Sequence, residues 1–241
     1  MAAAQEKTDQ ISAEKTQKTE VRINQKLNEF VQKNRKGLLW GLVALVAIMA
    51  ALIIGVTVRE KLQISAFTKV DAFNERYEAL KDYIGSEDGE AASKQADIGA
   101  LLEELNVFAG KNSGFAAARS YCIIAGIYEA QKKWAEAEKA WTSSAKAAAK
   151  SYLAPVSLYN AAAAAEEQGN IEAAITLYTQ ALGFENVNYI ASRAQFSVGR
   201  LHESQNNRQA ALEAYRNLLS KWPGDPLWSY LAQSRIIVLS D

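Results

Sequence analysis

A repeat with a period of 37 residues fills much of the second half of this 241-residue chain. The fragments KKWAEAEKAWTSSAKA, QGNIEAAITLYTQALG and QNNRQAALEAYRNLLS align without gaps. Two small residues in a helix pair allow close approach, and an aromatic residue one turn after the second fills the groove between the helices. These three positions recur at the same interval, as Ala125, Ala162 and Gly199, as Ala137, Ala174 and Ala211, and as Trp141, Tyr178 and Tyr215. The pattern predicts an all-α stack of helix pairs.

This pattern resembles the tetratricopeptide repeat (TPR), a pair of helices whose usual unit has about 34 residues. Gly169, Ala174, Tyr178 and Ala181 match its frame, with about three residues more per unit. The resemblance implies a TPR-like helical-repeat solenoid with three good repeats, at 118–154, 155–191 and 192–225.

Further helices are expected on both sides of the three repeats. Residues 62–84 and 97–110 predict a degenerate helix pair, separated by the flexible acidic loop GSEDGEAASKQ. Residues 227–239 predict a terminal helix that covers the exposed end of the stack. Because this capping helix is strongly apolar, it also suits self-association.

A 22-residue run at 37–58 has neither charge nor proline, and 12 of its residues are Leu, Ile or Val. As a helix it would extend about 33 Å at roughly 1.5 Å per residue, which is enough for a bilayer core of about 30 Å. The run follows 36 mostly polar residues and precedes no small-residue cleavage pattern. It therefore predicts an uncleaved transmembrane helix, in preference to a signal peptide or a buried core helix.

The flanks of the run predict its orientation. Five Lys or Arg residues lie in the 15 residues before it and three in the 15 after it. The positive-inside rule then places the N-terminus in the cytoplasm and the large C-terminal part across the membrane. Three segments follow: a cytoplasmic tail at 1–36, the span at 37–58 and the TPR-like domain at 59–241. Within the tail, residues 1–18 are predicted to be disordered and residues 20–33 to form an amphipathic helix.

The sequence offers little for catalysis. His202 is the only histidine and Cys122 the only cysteine, and no phosphate loop, nucleophile elbow or zinc-binding HExxH motif occurs. His202 is predicted to pack between helices, and Cys122 to be either a buried thiol or a residue that faces a partner. Net charges of +3 before the span and −3 after it do not suit a nucleic-acid binder. The chain is predicted to be a binding protein, with no enzymatic activity, cofactor or metal.

The concave surface of a helical-repeat stack is the default binding site. The TPR resemblance implies that the first helix of each pair lines it, at the second, fifth, ninth, twelfth and thirteenth positions. We expect mixed charge and two aromatic rings there to bind a peptide or a helix of another protein. The implied residues are Arg119, Cys122, Glu129, Tyr159, Ala163, Glu166, Glu167, Arg193, Phe196, Arg200 and Glu203. The Lys and Asn clamp that holds chaperone tails is absent from these positions.

The whole arrangement resembles the YfgM type of bacterial inner-membrane protein, most closely at EFVQKNRKGLLWGLVALV. That resemblance implies an ancillary scaffold of the Sec translocon, with translocon subunits, a membrane-anchored periplasmic chaperone and exported chains as partners. The C-terminal domain would then be periplasmic. Two alternatives stay open: a scaffold for envelope or cell-wall assembly, and an organelle import receptor with cytosolic repeats.

Overall fold

The computed structural model describes the backbone of residues 2–86, 89–184 and 188–240, and the side chains of residues 22, 25–86, 90, 92–184 and 190–240. In these residues the secondary structure is helical throughout, without strands. The elements are α1 (Ala2–Leu80), a 3-10 turn (Lys81–Tyr83), α2 (Gly89–Lys111), α3 (Gly114–Ala130), α4 (Trp134–Ala147), α5 (Leu153–Glu167), α6 (Ile171–Leu182), α7 (Asn188–Ser204), α8 (Arg208–Lys221) and α9 (Pro226–Ser240).

The chain divides into two compact units, Met1–Leu62 and Gln63–Asp241, and helix α1 contributes residues to both. In the first unit α1 carries the apolar run, whose side chains are exposed, with Trp40 at 70%. This helix is long and apolar enough to cross a membrane. Its backbone is helical from Ala2, where the sequence predicts disorder for residues 1–18. Ala, Gln, Glu and Lys are frequent in that segment and all have high helix propensity.

The second unit begins with the predicted degenerate pair, formed by the end of α1 and by α2. Phe73 of α1 meets Phe108 of α2 edge-on, with 5.5 Å between the ring centroids. The prediction of a long acidic loop is wrong, because α2 begins at Gly89 and not near residue 97. Good helix formers follow Gly89, and the Tyr83 hydroxyl donates a hydrogen bond to Glu90 at 3.1 Å, which ties the start of α2 to the preceding turn.

The three predicted repeats are the pairs α3 with α4, α5 with α6, and α7 with α8, each packed on the next. Each pair closes through a turn with one residue at positive φ: Lys132 (56°), Gly169 (76°) and Asn206 (58°), again 37 residues apart. Asn170 and Asn207 then cap the second helices by accepting hydrogen bonds from backbone N–H groups. Lys133, at the same place in the first repeat, makes no side-chain cap.

The small and aromatic positions form the core, as the sequence predicts. Ala137, Ala174 and Ala211 are fully buried, as are Ala125 and Ala162. Gly199 lies against Tyr215 so closely that an added Cβ would come within 2.5 Å of the ring. The predicted terminal helix is α9, and it forms a separate apolar cluster with α7 and α8 around Tyr215, Leu218 and Ala232.

Candidate functional site

The eleven predicted residues lie on the first helix of each repeat, and we call their surface the first-helix face. Helix α3 carries Arg119, Cys122 and Glu129; α5 carries Tyr159, Ala163, Glu166 and Glu167; α7 carries Arg193, Phe196, Arg200 and Glu203. Helix α5 contacts both α3 and α7, and α7 contacts α9. Side chains of successive first helices can therefore meet across repeats.

A carboxylate near the end of each first helix accepts a hydrogen bond from the aromatic residue of the same repeat. The distances are 2.7 Å from Trp141 to Glu129, 3.5 Å from Tyr178 to Glu166 and 3.1 Å from Tyr215 to Glu203. Donor and acceptor are 12 residues apart in every case. Burial raises the pKa of Tyr215 to about 12, and it raises the pKa of Tyr178 as well. Both phenols therefore remain protonated donors at neutral pH.

Two of these carboxylates also accept hydrogen bonds from an arginine of a later helix, Arg200 of α7 or Arg235 of α9. Arg200 holds Glu166 with two hydrogen bonds of 2.5 and 2.8 Å. Arg235 of α9 holds Glu203 in the same bidentate manner, with Nε 3.1 Å from Oε2 and Nη2 on Oε1. Hydrogen bonding to Glu166 raises the pKa of Arg200 above its ordinary value. Most of the charge on the first-helix face is thus neutralised within the chain.

The aromatic residues of the face are also engaged. The Arg193 guanidinium lies over the Tyr159 ring, 4.9 Å from its centroid, and Tyr159 meets Tyr178 edge-on at 5.1 Å. Phe196 packs between Tyr215 and Trp228, with 5.3 Å between centroids on each side. Phe196 is therefore chiefly a packing residue that joins α7, α8 and α9.

The first repeat differs from the other two. Arg119 pairs with Asp71 of α1 at 2.8 Å. The Cys122 thiol lies 3.2 Å from the Ser144 hydroxyl, which in turn lies 2.8 Å from Ser157, inside the helix stack. Burial raises the pKa of Cys122, so the thiol stays protonated and has little nucleophilic character. The Cys122 side chain is half-buried.

Several residues that complete the face are not apparent from its sequence. Tyr77 of α1 covers Gly126, where an added Cβ would lie 2.9 Å from the phenol oxygen. Two further residues lie on helices outside the three repeats: Asp71 forms an ion pair with Arg119 of the face, and Arg235 forms one with Glu203. The glutamate–aromatic hydrogen bonds could have been found from the sequence, because the glutamate and the aromatic residue are always 12 residues apart and the pair recurs every 37 residues.

His202 lies half-buried near the end of α7, in agreement with interhelix packing. The described residues contain no group of three or more His, Cys, Asp or Glu side chains placed to hold a metal ion. What the face offers a ligand is a row of carboxylates, guanidinium groups and aromatic rings. Such a surface suits recognition of a polypeptide.

The fold and this surface define a TPR-like helical-repeat protein. A family model described as tetratricopeptide repeat matches residues 193–225, which coincide with the predicted third repeat. The "TPR repeat-containing protein" of Treponema pallidum (strain Nichols) is 32% identical over 151 residues. The match covers 62% of this chain and 62% of that protein, so it spans somewhat less than two thirds of the relative's length. Repeats of this type are protein-interaction scaffolds.

Proposed function

We propose that this protein is a membrane-anchored scaffold that binds a polypeptide partner on the first-helix face and catalyses no reaction. The observation that carries the proposal is the alignment of three TPR-like repeats, which brings the charged and aromatic residues of α3, α5 and α7 onto neighbouring helices. A stack of this kind offers an extended surface rather than an enclosed pocket.

The anchor in this proposal is the apolar run at 37–58. Its length and its exposed Leu, Ile and Val side chains support a transmembrane helix. The bias of Lys and Arg toward its N-terminal side supports a cytoplasmic N-terminus and a periplasmic C-terminal domain in a bacterial inner membrane. Digestion of sealed inverted membrane vesicles with protease tests this orientation. Protection of residues 63–241 is expected, and their digestion would contradict it and favour an organelle receptor with cytosolic repeats.

The partner that we propose is the Sec translocon with a periplasmic chaperone and its exported substrates. This finer proposal is supported by the YfgM-type arrangement of a basic tail, a single span and a repeat domain. The alternative of an envelope or cell-wall assembly scaffold has the same architecture. The identity of the bound protein separates the two.

The experiment is photocrosslinking in cells from position 163, where Ala163 lies half-buried on α5. Phe196 is a poorer position, because its ring packs against Tyr215 and Trp228. A photoreactive residue at Glu213, exposed on the second helix α8, is the matched control. Adducts from position 163 alone are expected, and their masses identify translocon or envelope proteins. Equal adducts from both positions would contradict binding at the first-helix face.

A further inference from the structure

The three equivalent carboxylates of the first-helix face do not have equivalent partners. Glu166 and Glu203 each accept one hydrogen bond from an aromatic residue of their own repeat and two from an arginine of a later helix, α7 for Glu166 and α9 for Glu203. Glu129 accepts only the 2.7 Å hydrogen bond from Trp141. Within the described side chains no Lys or Arg forms an ion pair with Glu129, and its Oε2 atom has no hydrogen-bond donor.

The missing cation has a simple origin in the sequence. Arg200 lies 34 residues after Glu166, and Arg235 lies 32 residues after Glu203. The residues 34 and 32 positions after Glu129 are both alanine, Ala163 and Ala161. An alanine side chain ends at Cβ, so the space that a guanidinium fills in the other repeats is not filled by α5 in the first.

The surroundings of Glu129 make the absence of a neighbouring cation energetically unfavourable in the unliganded protein. The side chain is half-buried, and burial raises the pKa of its carboxyl, against the opposing effect of the Trp141 hydrogen bond. The Tyr77 phenol lies over Gly126, one turn before Glu129 on the same helix, and it adds no positive charge. The nearest arginine on α3, Arg119, is engaged by Asp71. A half-buried carboxylate without a cation retains a desolvation cost that a cation would offset.

We infer that Glu129 is the anchoring point for an arginine of the bound polypeptide, which supplies in trans the cation that Arg200 and Arg235 supply within the chain. This inference rests on the proposed function, since it names the chemistry that the first-helix face recognises. Arginine suits the position better than lysine, because both intramolecular examples use the planar guanidinium in bidentate contact with a carboxylate. Ala163 leaves the space through which the guanidinium reaches Oε2.

The test measures peptide binding to the full-length protein in lipid nanodiscs by fluorescence anisotropy. Two labelled heptapeptide pools are compared: one with arginine fixed at the centre and degenerate flanks, and one with citrulline, the neutral isostere, at the centre. The wild-type protein is expected to bind the arginine pool about tenfold more tightly, the size of one charge-assisted hydrogen-bonded contact. Glu129→Gln should abolish the preference, so that both pools bind equally, whereas Glu213→Gln, a change at an exposed glutamate of α8 outside the first-helix face, should keep it.

Each outcome has a distinct meaning. Loss of the preference in Glu129→Gln alone supports the inference. Equal binding of both pools by the wild type, or a preference that survives Glu129→Gln, overturns the inference and leaves the proposed function standing. Binding of neither pool counts against the proposed function, and the inference fails with it.

A second variant tests the same site without a ligand. Ala163→Arg places an arginine 34 residues after Glu129, the separation that joins Arg200 to Glu166. Ala163→Arg should raise Tm by about 2–4 °C in the wild-type background and leave Tm unchanged in Glu129→Gln. It should also weaken binding of the arginine pool by about tenfold, by occupying the carboxylate. A rise in Tm that is equal in both backgrounds would show that Glu129 does not accept the cation, and would overturn the inference.

Discussion

Replacing Gly199 by alanine tests the helix pairing of the third repeat. An ideal Cβ on Gly199 would lie 2.5, 2.8 and 2.9 Å from three carbon atoms of the Tyr215 ring, all shorter than real contacts allow. The ring has little room to move, because it is fully buried, packed against the Phe196 ring and hydrogen-bonded to Glu203. The change should therefore overpack the interface between α7 and α8.

The magnitude follows from two opposing contributions. Overpacking a well-filled core costs about 1–3 kcal/mol, and alanine in place of glycine inside a helix gains about 0.8–1 kcal/mol. Gly99 provides a matched control, since it lies inside helix α2 and an added Cβ there would meet nothing within 4 Å. Gly99→Ala keeps the propensity gain without the overpacking. The two variants should thus differ by about 1–3 kcal/mol.

Thermal unfolding of the full-length protein in detergent, followed by tryptophan fluorescence, measures the difference. The fluorescence of Trp228 reports directly on unfolding of the third repeat, because its ring centroid lies 5.3 Å from that of Phe196, which packs against Tyr215. Gly99→Ala should raise Tm by about 2–4 °C, and Gly199→Ala should melt at least about 2 °C below Gly99→Ala. An equal rise in both variants would refute the contact between Gly199 and Tyr215, and with it the register of the third repeat.

Three further predictions concern the first repeat, the pH response and the repeat domain. Lys133→Asn should add the helix cap that Asn170 provides in the next repeat, and raise the free energy of unfolding by about 0.5–2 kcal/mol in denaturant titration; no gain would contradict the equivalence of the turns. Burial raises the pKa of Glu129 in the folded protein above its ordinary value of 4.5. The contribution of this group to folding stability is therefore fully present below pH 4.5 and is lost as the pH rises through the raised pKa. The Tm of Glu129→Gln should therefore exceed that of the wild type at pH 7.5 and converge with it at pH 4, and a pH-independent difference would argue against a buried carboxylate. Residues 63–241 expressed alone should be soluble and mainly helical by circular dichroism, whereas a disordered product would contradict an independent second unit.

The periodic part of the fold was predictable because it depends on local chemistry. Small residues, aromatics and turn residues recur every 37 positions, and each acts within its own helix pair. The predicted third repeat accordingly coincides with the match at 193–225. The start of α2 was harder to predict, since a segment rich in both acidic residues and helix formers suits a loop or a helix until Tyr83 engages Glu90.

The candidate site was predictable only as a set of positions. The helical frame places Glu129, Glu166 and Glu203 at one level of the face, but it does not reveal which of them finds a cation. That depends on contacts between residues 32 to 34 positions apart, made where α5 lies beside α7 and where α7 lies beside α9. For the same reason, the sequence did not reveal the hydroxyl groups of Ser144 and Ser157 that lie next to the Cys122 thiol in the folded protein.

The sequence by itself determined the all-α repeat, its period and the presence of a helix apolar enough for a bilayer, because each follows from propensity and periodicity along one segment. Tertiary structure decided which charges are satisfied. Arg200 and Arg235 neutralise two carboxylates, while the short side chain of Ala163 leaves Glu129 without an intramolecular cation. The physical reason is that ion pairing requires two side chains to meet in space, and here they come from helices that are 32 to 34 residues apart in the chain.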